Sequence, residues 1–344
     1  MKNIFAILLL VVLSGCNTLN YVGIQTYNPA EVTFPSSVEK VLVVNNAVPQ
    51  PDDKGHEYSY FGREAKVGKI RTDSALVYFC NALGRSIFDL SYFSDVLLYP
   101  DALRQDNNFL DDKKLSPSQV SSLCEDNGAD AVISLDRLVF RLNRDVSLYN
   151  GYIEGGEKVY VDGVVRVYVP GRSSALAAVV VSDSVEWREI VFDEGAIDYV
   201  IPSPQFAVYL AGEVVGSNLS PCFVPHWMDE TRWYFSQAGT LWKEASAFAA
   251  DEKWDNAVDR WKKIYQTTKS DKAKAKAAAN MALAAELDGD LKKSYELIKE
   301  AYDLYPDNDD ECKVHLYLYK ESILQRLLVN EKLNLQIGGT KSDD

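Results

Sequence analysis

The sequence predicts an α+β protein. A mixed-sheet α/β domain, ordered β-α-β-α-β with antiparallel strands and a helix added, precedes an all-α domain of repeated helices. Three observations predict it. Apolar, β-branched runs alternate with helical stripes over residues 38–140. Valines then recur at even spacing from Val159 to Val169. The last third repeats itself 37 residues on.

Each element has a local reason. Lys2, the unbroken apolar run Ile4 to Leu13 and the small residues Ser14 and Gly15 follow the order of a secretory signal. Ten apolar residues are too few to span about 30 Å of hydrocarbon as a helix. Residues 1–15 are therefore a signal peptide, and 16–37, polar with Pro29 and Pro35, a tether. Val38 to Val44 is the first strand, and Asn46 to Ile70 a long polar loop. Thr72 or Asp73 caps a helix with Leu76, Phe79, Leu83, Ile87 and Leu90 on one stripe. A short strand, Asp95 to Tyr99, follows. Ser116-Pro117 opens the next helix and Gly128 ends it. Ala129 to Phe140 is a strand. This order implies parallel pairing through crossovers, whereas the runs Val159–Val169 and Ala175–Trp187, joined by a short link, add antiparallel. A helix from Ser203-Pro204 to about Val215 places Phe206, Tyr209, Leu210 and Val214 on one side. The α/β domain thus covers 38–219, with a linker at 220–227.

In the last third, Ala245, Phe248, Trp254, Ala257, Trp261, Ile264 and Tyr265 have counterparts Ala282, Ala285, Leu291, Ser294, Ile298, Ala301 and Tyr302. Small residues suit close helix crossings, and Gly289-Asp290 suits the turn. Cys312 to Leu328 caps the stack, and a further helix is expected around Arg232-Trp233-Tyr234-Phe235. The helical domain spans 228–330, leaving 331–344 as a flexible tail.

Several of these segments resemble known families. Leu13-Ser14-Gly15-Cys16 resembles a bacterial lipobox, which implies cleavage before Cys16 and its lipidation. Asn17 replaces the Asp that resembles an inner-membrane retention signal, and no early acidic cluster resembles a surface-export signal. The resemblance then implies the periplasmic leaflet of the outer membrane. Lys40-Val41-Leu42-Val43-Val44 and Gly128-Ala129-Asp130-Ala131-Val132-Ile133-Ser134 resemble the small α/β domain of curli-type secretion lipoproteins and of the Tol-system propeller protein. The 37-residue spacing looks like a tetratricopeptide repeat of about 34 residues with an insertion at Lys269–Lys276. The whole assembly, with Pro225-His226-Trp227, Arg232-Trp233-Tyr234 and Trp254-Asp255-Asn256-Ala257, is similar to uncharacterised lipoproteins of Bacteroides-type bacteria.

Composition narrows the chemistry. A net charge of −14 argues against nucleic acid as a partner, while 47% hydrophobic residues argue for a packed core. Cys16 aside, four cysteines remain, too scattered for a zinc pattern. Cys80 and Cys124, both on helices of one domain, are the candidate disulfide; single buried thiols are the alternative. His56, His226 and His315 lie far apart, and no phosphate loop or nucleophile elbow occurs. No metal, cofactor or catalytic residue is expected. The leading expectation is a non-enzymatic lipoprotein that scaffolds an envelope protein or peptide. By register Trp242, Lys276, Lys313 and Tyr317 line its groove. The alternatives are an enzyme of cell wall or glycan, with carboxylates in the Asn46–Ile70 and Asp101–Leu115 loops, and an accessory lipoprotein of nutrient uptake.

Overall fold

Along the chain, β1 (Thr18–Asn28), β2 (Lys40–Asn45), β3 (His56–Tyr60) and β4 (Arg63–Ala65) lead to α1 (Asp73–Asp89) and β5 (Asp95–Ala102). Then come α2 (Pro117–Asn127), β6 (Ala131–Tyr149), β7 (Tyr152–Tyr168), β8 (Ala177–Val191), α3 (Ile197–Val200) and α4 (Pro204–Asn218). After β9 (His226–Ser236) the chain is helical: α5 (Thr240–Ala250), α6 (Trp254–Thr267), α7 (Asp271–Leu287), α8 (Leu291–Leu304) and α9 (Asp310–Gly338). The computed structural model describes residues 18–65, 68–307 and 310–338. They form two units: an α/β unit, Pro29–His226 with Leu335–Gly338, and a helical unit, β1 with Trp227–Asn334.

In the α/β unit β2 runs parallel to both β5 and β6. The length of β6 organises the sheet. Ala131–Leu135 take β2 on one edge, and Leu142–Val146 take β3 further along that edge. The other edge pairs antiparallel with β7, and β7 with β8. The expected loop at 46–70 thus contains the β3–β4 hairpin, which joins the sheet. Alternation along β2 assigns the faces. Val41 and Val43 meet α1 and α4, while Leu42 and Val44 meet α2. Cys80 on α1 and Cys124 on α2 therefore have the sheet between them. A disulfide needs Cα atoms within about 7 Å, and both thiols are free.

The α1–α4 contact is made by small residues. A Cβ on Gly212 would come within 2.7 Å of the Ala75 carbonyl, and one on Gly216 within 2.4 Å of that of Phe79. The packed stripe of α4 is accordingly Ala207, Val208, Ala211, Gly212 and Val215, while Phe206 and Val214 are exposed. Helix packing at this distance selects side-chain size above hydrophobicity.

On the α2 face a bulge in β6 leaves Asp136 unpaired between Leu135 and Arg137. Its carboxylate is fully buried and accepts four hydrogen bonds. Ser134 Oγ (2.6 Å) and Asn46 Nδ2 (3.0 Å) donate to one oxygen, Arg166 (2.7 Å) and Tyr168 (3.0 Å) to the other. The same donors hold the loop after β5, since Asn46 also bonds Lys113 O, Arg166 bonds Asp112, and Tyr168 Oη accepts from Leu115 N.

Across β3, β6, β7 and β8, Tyr58, Arg144, Glu157 and Trp187 form one row. Arg144 donates to Glu157 (2.6 Å), Asp198 (2.5 Å) and Pro202 O (3.2 Å). Glu157 is 1% exposed, and its second oxygen has no partner among the described residues. Burial pushes its pKa up to about 7 against the pull of Arg144.

The helical unit opens with strands. β1 and β9 pair in a two-stranded sheet, so the tether and the helix expected around Arg232–Phe235 are both strands. β9 also takes the end of the expected linker, and α9 continues through the expected tail to Gly338. Asn280 of α7 joins β9 by pairing with both backbone groups of Phe235, at 2.7 and 2.8 Å. Glu286, also buried, accepts from Arg232, Arg326 and Tyr319.

The 37-residue repeat is visible bond by bond. Lys253 N bonds Phe248 O at 2.8 Å, and Asp290 N bonds Ala285 O at 2.9 Å. This wrapping bond closes a helix on a left-handed residue, Glu252 (φ 59°) in one hairpin and Gly289 (φ 82°) in the other. Ala245, Ala257 and Trp261 are fully buried, as are Ala282, Ser294 and Ile298.

Two outcomes follow. Ala282 has no exposure and its carbonyl accepts from Ser294 Oγ at 2.8 Å. Ala282→Leu overpacks the α7–α8 crossing and should destabilise the protein by about 1–3 kcal/mol, read as a lower melting temperature. The second concerns pH. Folded Glu157 keeps a proton that the unfolded chain releases near pH 4.5. Stability therefore falls as pH rises from about 4.5 to about 7, on the order of 3 kcal/mol from this group. Glu157→Gln should flatten that part of the denaturation profile.

Candidate functional site

The residues expected to line a groove separate in the structure. Trp242 and Lys276 belong to the core of the helical unit, at 7% and 2% exposure, and Lys276 Nζ lies 5.1 Å above the Phe235 ring. Neither is available to a partner. Sequence register placed them on the inner side of the repeat, and β9 covers Lys276. Lys313 and Tyr317 do come together, in a hollow of about 320 Å³ with Tyr302 and Val314. Lys313 donates to the carbonyls of Tyr302 (2.5 Å) and Tyr305 (2.7 Å), so it caps the end of α8. Tyr317 offers exposed surface, at 45%, beside Val314 at 53%. Cys16 lies outside the described residues.

A different site emerges around Trp254. The turn at Glu252 sets Trp254 at the first position of α6, edge-on to Tyr234 at 6.3 Å. Where the first hairpin has Phe248, the second has Ala285, and this smaller side chain opens space against α7. The result is a cleft of about 630 Å³ between α6, α7 and α8. Its apolar walls are Trp254, Val258, Met281, Ala284 and Leu297; its rim carries Asp255, Asp288, Lys262 and Lys293. A second hollow of about 330 Å³ shares Glu252, Trp254 and Leu287 and reaches Gln25 and Arg326. Volume and mixed lining suit a small ligand or a few residues of peptide. The titratable lining of the larger cleft consists of carboxylates and lysines: Glu252, Asp255, Asp288, Lys253, Lys262 and Lys293. In the repeat Trp254 corresponds to Leu291, and that correspondence carries no signal of a cleft.

Burial pushes the thiols of Cys80 and Cys222 up to about 12 and that of Cys124 to about 11, far from a nucleophilic thiolate. In the loop after β5, Asp106 and Asp111 bind Arg104, and Asp112 binds Arg166. Among the described residues no group of three or more His, Cys, Asp or Glu is arranged to hold a metal ion, and no helix is long and apolar enough to cross a membrane.

Two family models match the chain in succession. Residues 38–235 match a family model described as a domain of unknown function, DUF8603, and residues 243–325 match a second, DUF6340. No curated protein matches the chain. Among solved structures it is similar to the PelC dodecamer from Paraburkholderia phytofirmans, at 11% identity over 58% of this chain and 99% of that one, with a TM-score of 0.21. It is also similar to protein XCC0632 from Xanthomonas campestris, at 10% identity over 57% and 92%, with a TM-score of 0.24. Likeness at this level carries no argument about this chain. The match over 38–235 takes in more than half of its length, and on that ground the protein belongs to the DUF8603 family.

Proposed function

We propose that this protein is a lipid-anchored, non-enzymatic lipoprotein, facing the periplasm from the outer membrane, that holds an envelope partner by a peptide segment seated beside Trp254. The observation that carries the reading is the cleft itself. It has apolar walls and charges of both signs on its rim. A peptide can bury a side chain against Trp254 and Val258 while its polar groups meet the lysines and carboxylates. Cys16 supports the anchor. A single residue separates it from β1, so acyl chains on Cys16 would hold the start of β1 within about 7 Å of the bilayer. A partner in the same membrane then meets the cleft at high effective concentration, and a modest affinity suffices.

Two measurements test this. Cys16→Ala should leave the protein unprocessed or released from the membrane fraction, and an intact mass with a free thiol at Cys16 would overturn the anchor. A photoreactive residue at Asn256, on the rim, should crosslink one envelope protein in cells, and Trp254→Ala should reduce that product at least tenfold with the fold intact. Trp242→Ala, by contrast, should lower the melting temperature by removing core. Crosslinking indifferent to Trp254, or hydrolysis of a wall fragment by the purified protein, overturns the scaffold reading.

A further inference from the structure

A second surface lies on the α/β unit, at the end of its longest strands. β6 and β7 meet there in a turn whose residues Asn150 and Gly151 both have positive φ, 52° and 86°. A two-residue turn of this kind matches the strand twist and holds the hairpin rigidly. Tyr149 faces Tyr152 in register, and the Tyr152 and Phe192 rings stand edge to face at 5.3 Å. Three aromatic rings therefore lie abreast on one face. On that face Phe192 (89%), Tyr149 (57%) and Ile190 (56%) are largely exposed, while Leu148 (69%) and α3 with Tyr199 (91%) lie on the other side of the sheet. Nothing in the folding of the unit requires this much apolar surface in water, and patches of this kind mark interaction sites.

Charge defines the occupant. Residues 147–154 and 189–200 contain Glu154, Glu189, Asp193, Glu194 and Asp198 and no lysine or arginine. The neighbouring Arg188 is held by Glu154 and Glu186, and Arg144 by Glu157 and Asp198. Arg63 on the β3–β4 hairpin adds one positive charge at the same end, where Phe61 N bonds Val146 O. A girdle so acidic repels anionic lipid headgroups. Aromatic faces beside carboxylates attract cationic side chains. We propose that this end of the sheet docks a protein segment in which lysine or arginine alternates with aliphatic residues. The site is separate from the Trp254 cleft.

The test uses the full mature chain in nanodiscs of neutral phosphatidylcholine, with a fluorescent decapeptide of alternating lysine and leucine as probe. The chain should bind it, and the glutamate–leucine analogue should not. The triple variant Tyr149→Ser, Tyr152→Ser, Phe192→Ser should bind at least tenfold more weakly at an unchanged melting temperature, with Phe192→Ser alone giving an intermediate loss. Trp254→Ala should leave probe binding unchanged, so failure here and failure of the cleft are distinguishable. Equal affinity in the triple variant would show attraction to net charge alone and overturn the proposal. So would a variant that keeps the probe but loses binding to phosphatidylglycerol vesicles, or one that loses only self-association in sedimentation.

Discussion

A buried carboxylate must find donors for both its oxygens, and each unit is organised around one that does. Desolvating an ionised carboxylate costs several kcal/mol unless it is paired and hydrogen-bonded. Asp136 meets this requirement because the bulge in β6 turns it towards Ser134, Asn46, Arg166 and Tyr168. Those donors have capacity to spare, and they spend it on Lys113, Asp112 and Leu115. The loop after β5 is thereby ordered without a hydrophobic core of its own. Glu286 does the same in the helical unit, joining β9 through Arg232 to α9 through Arg326 and Tyr319.

Glu157 shows what happens when the set is incomplete. It has Arg144 on one oxygen and no partner among the described residues on the other, and burial raises its pKa to about 7. Asp136, buried to the same degree, has donors on both oxygens. The difference is one of hydrogen-bond count, with the depth of burial equal.

Periodicity made most of the fold legible. The alternation of Val41 and Val43 with Leu42 and Val44, the stripe of α1 and the 37-residue repeat each report a buried face, and burial is what a sequence pattern records. The failures share a cause. β1 and β9 are stabilised by pairing with each other, 208 residues apart between their starts, and neither has a turn to announce it. The packing stripe of α4 depends on how close α1 approaches, which selects Gly212 and Gly216 over Phe206. Trp242 and Lys276 were placed by repeat register alone, and register is blind to β9. The candidate cleft depended on a difference between repeats, Phe248 against Ala285, and internal similarity is a search for sameness.

That difference also bears on how a structural repeat acquires a site. Two identical hairpins would stack with matched side chains and leave no hollow. Here the left-handed turn is kept in both, at Glu252 and at Gly289, so the backbone repeats while the side chains do not. Glycine adopts this conformation without strain, whereas glutamate does so at a cost on the order of 1 kcal/mol. The first hairpin thus accepts backbone strain at the residue shared by both hollows, next to Trp254. Replacing Glu252 by glycine would relieve the strain while removing a carboxylate from the mouth of the cleft. Stability and binding are opposed at this one position, as expected where a side chain is retained for something other than folding.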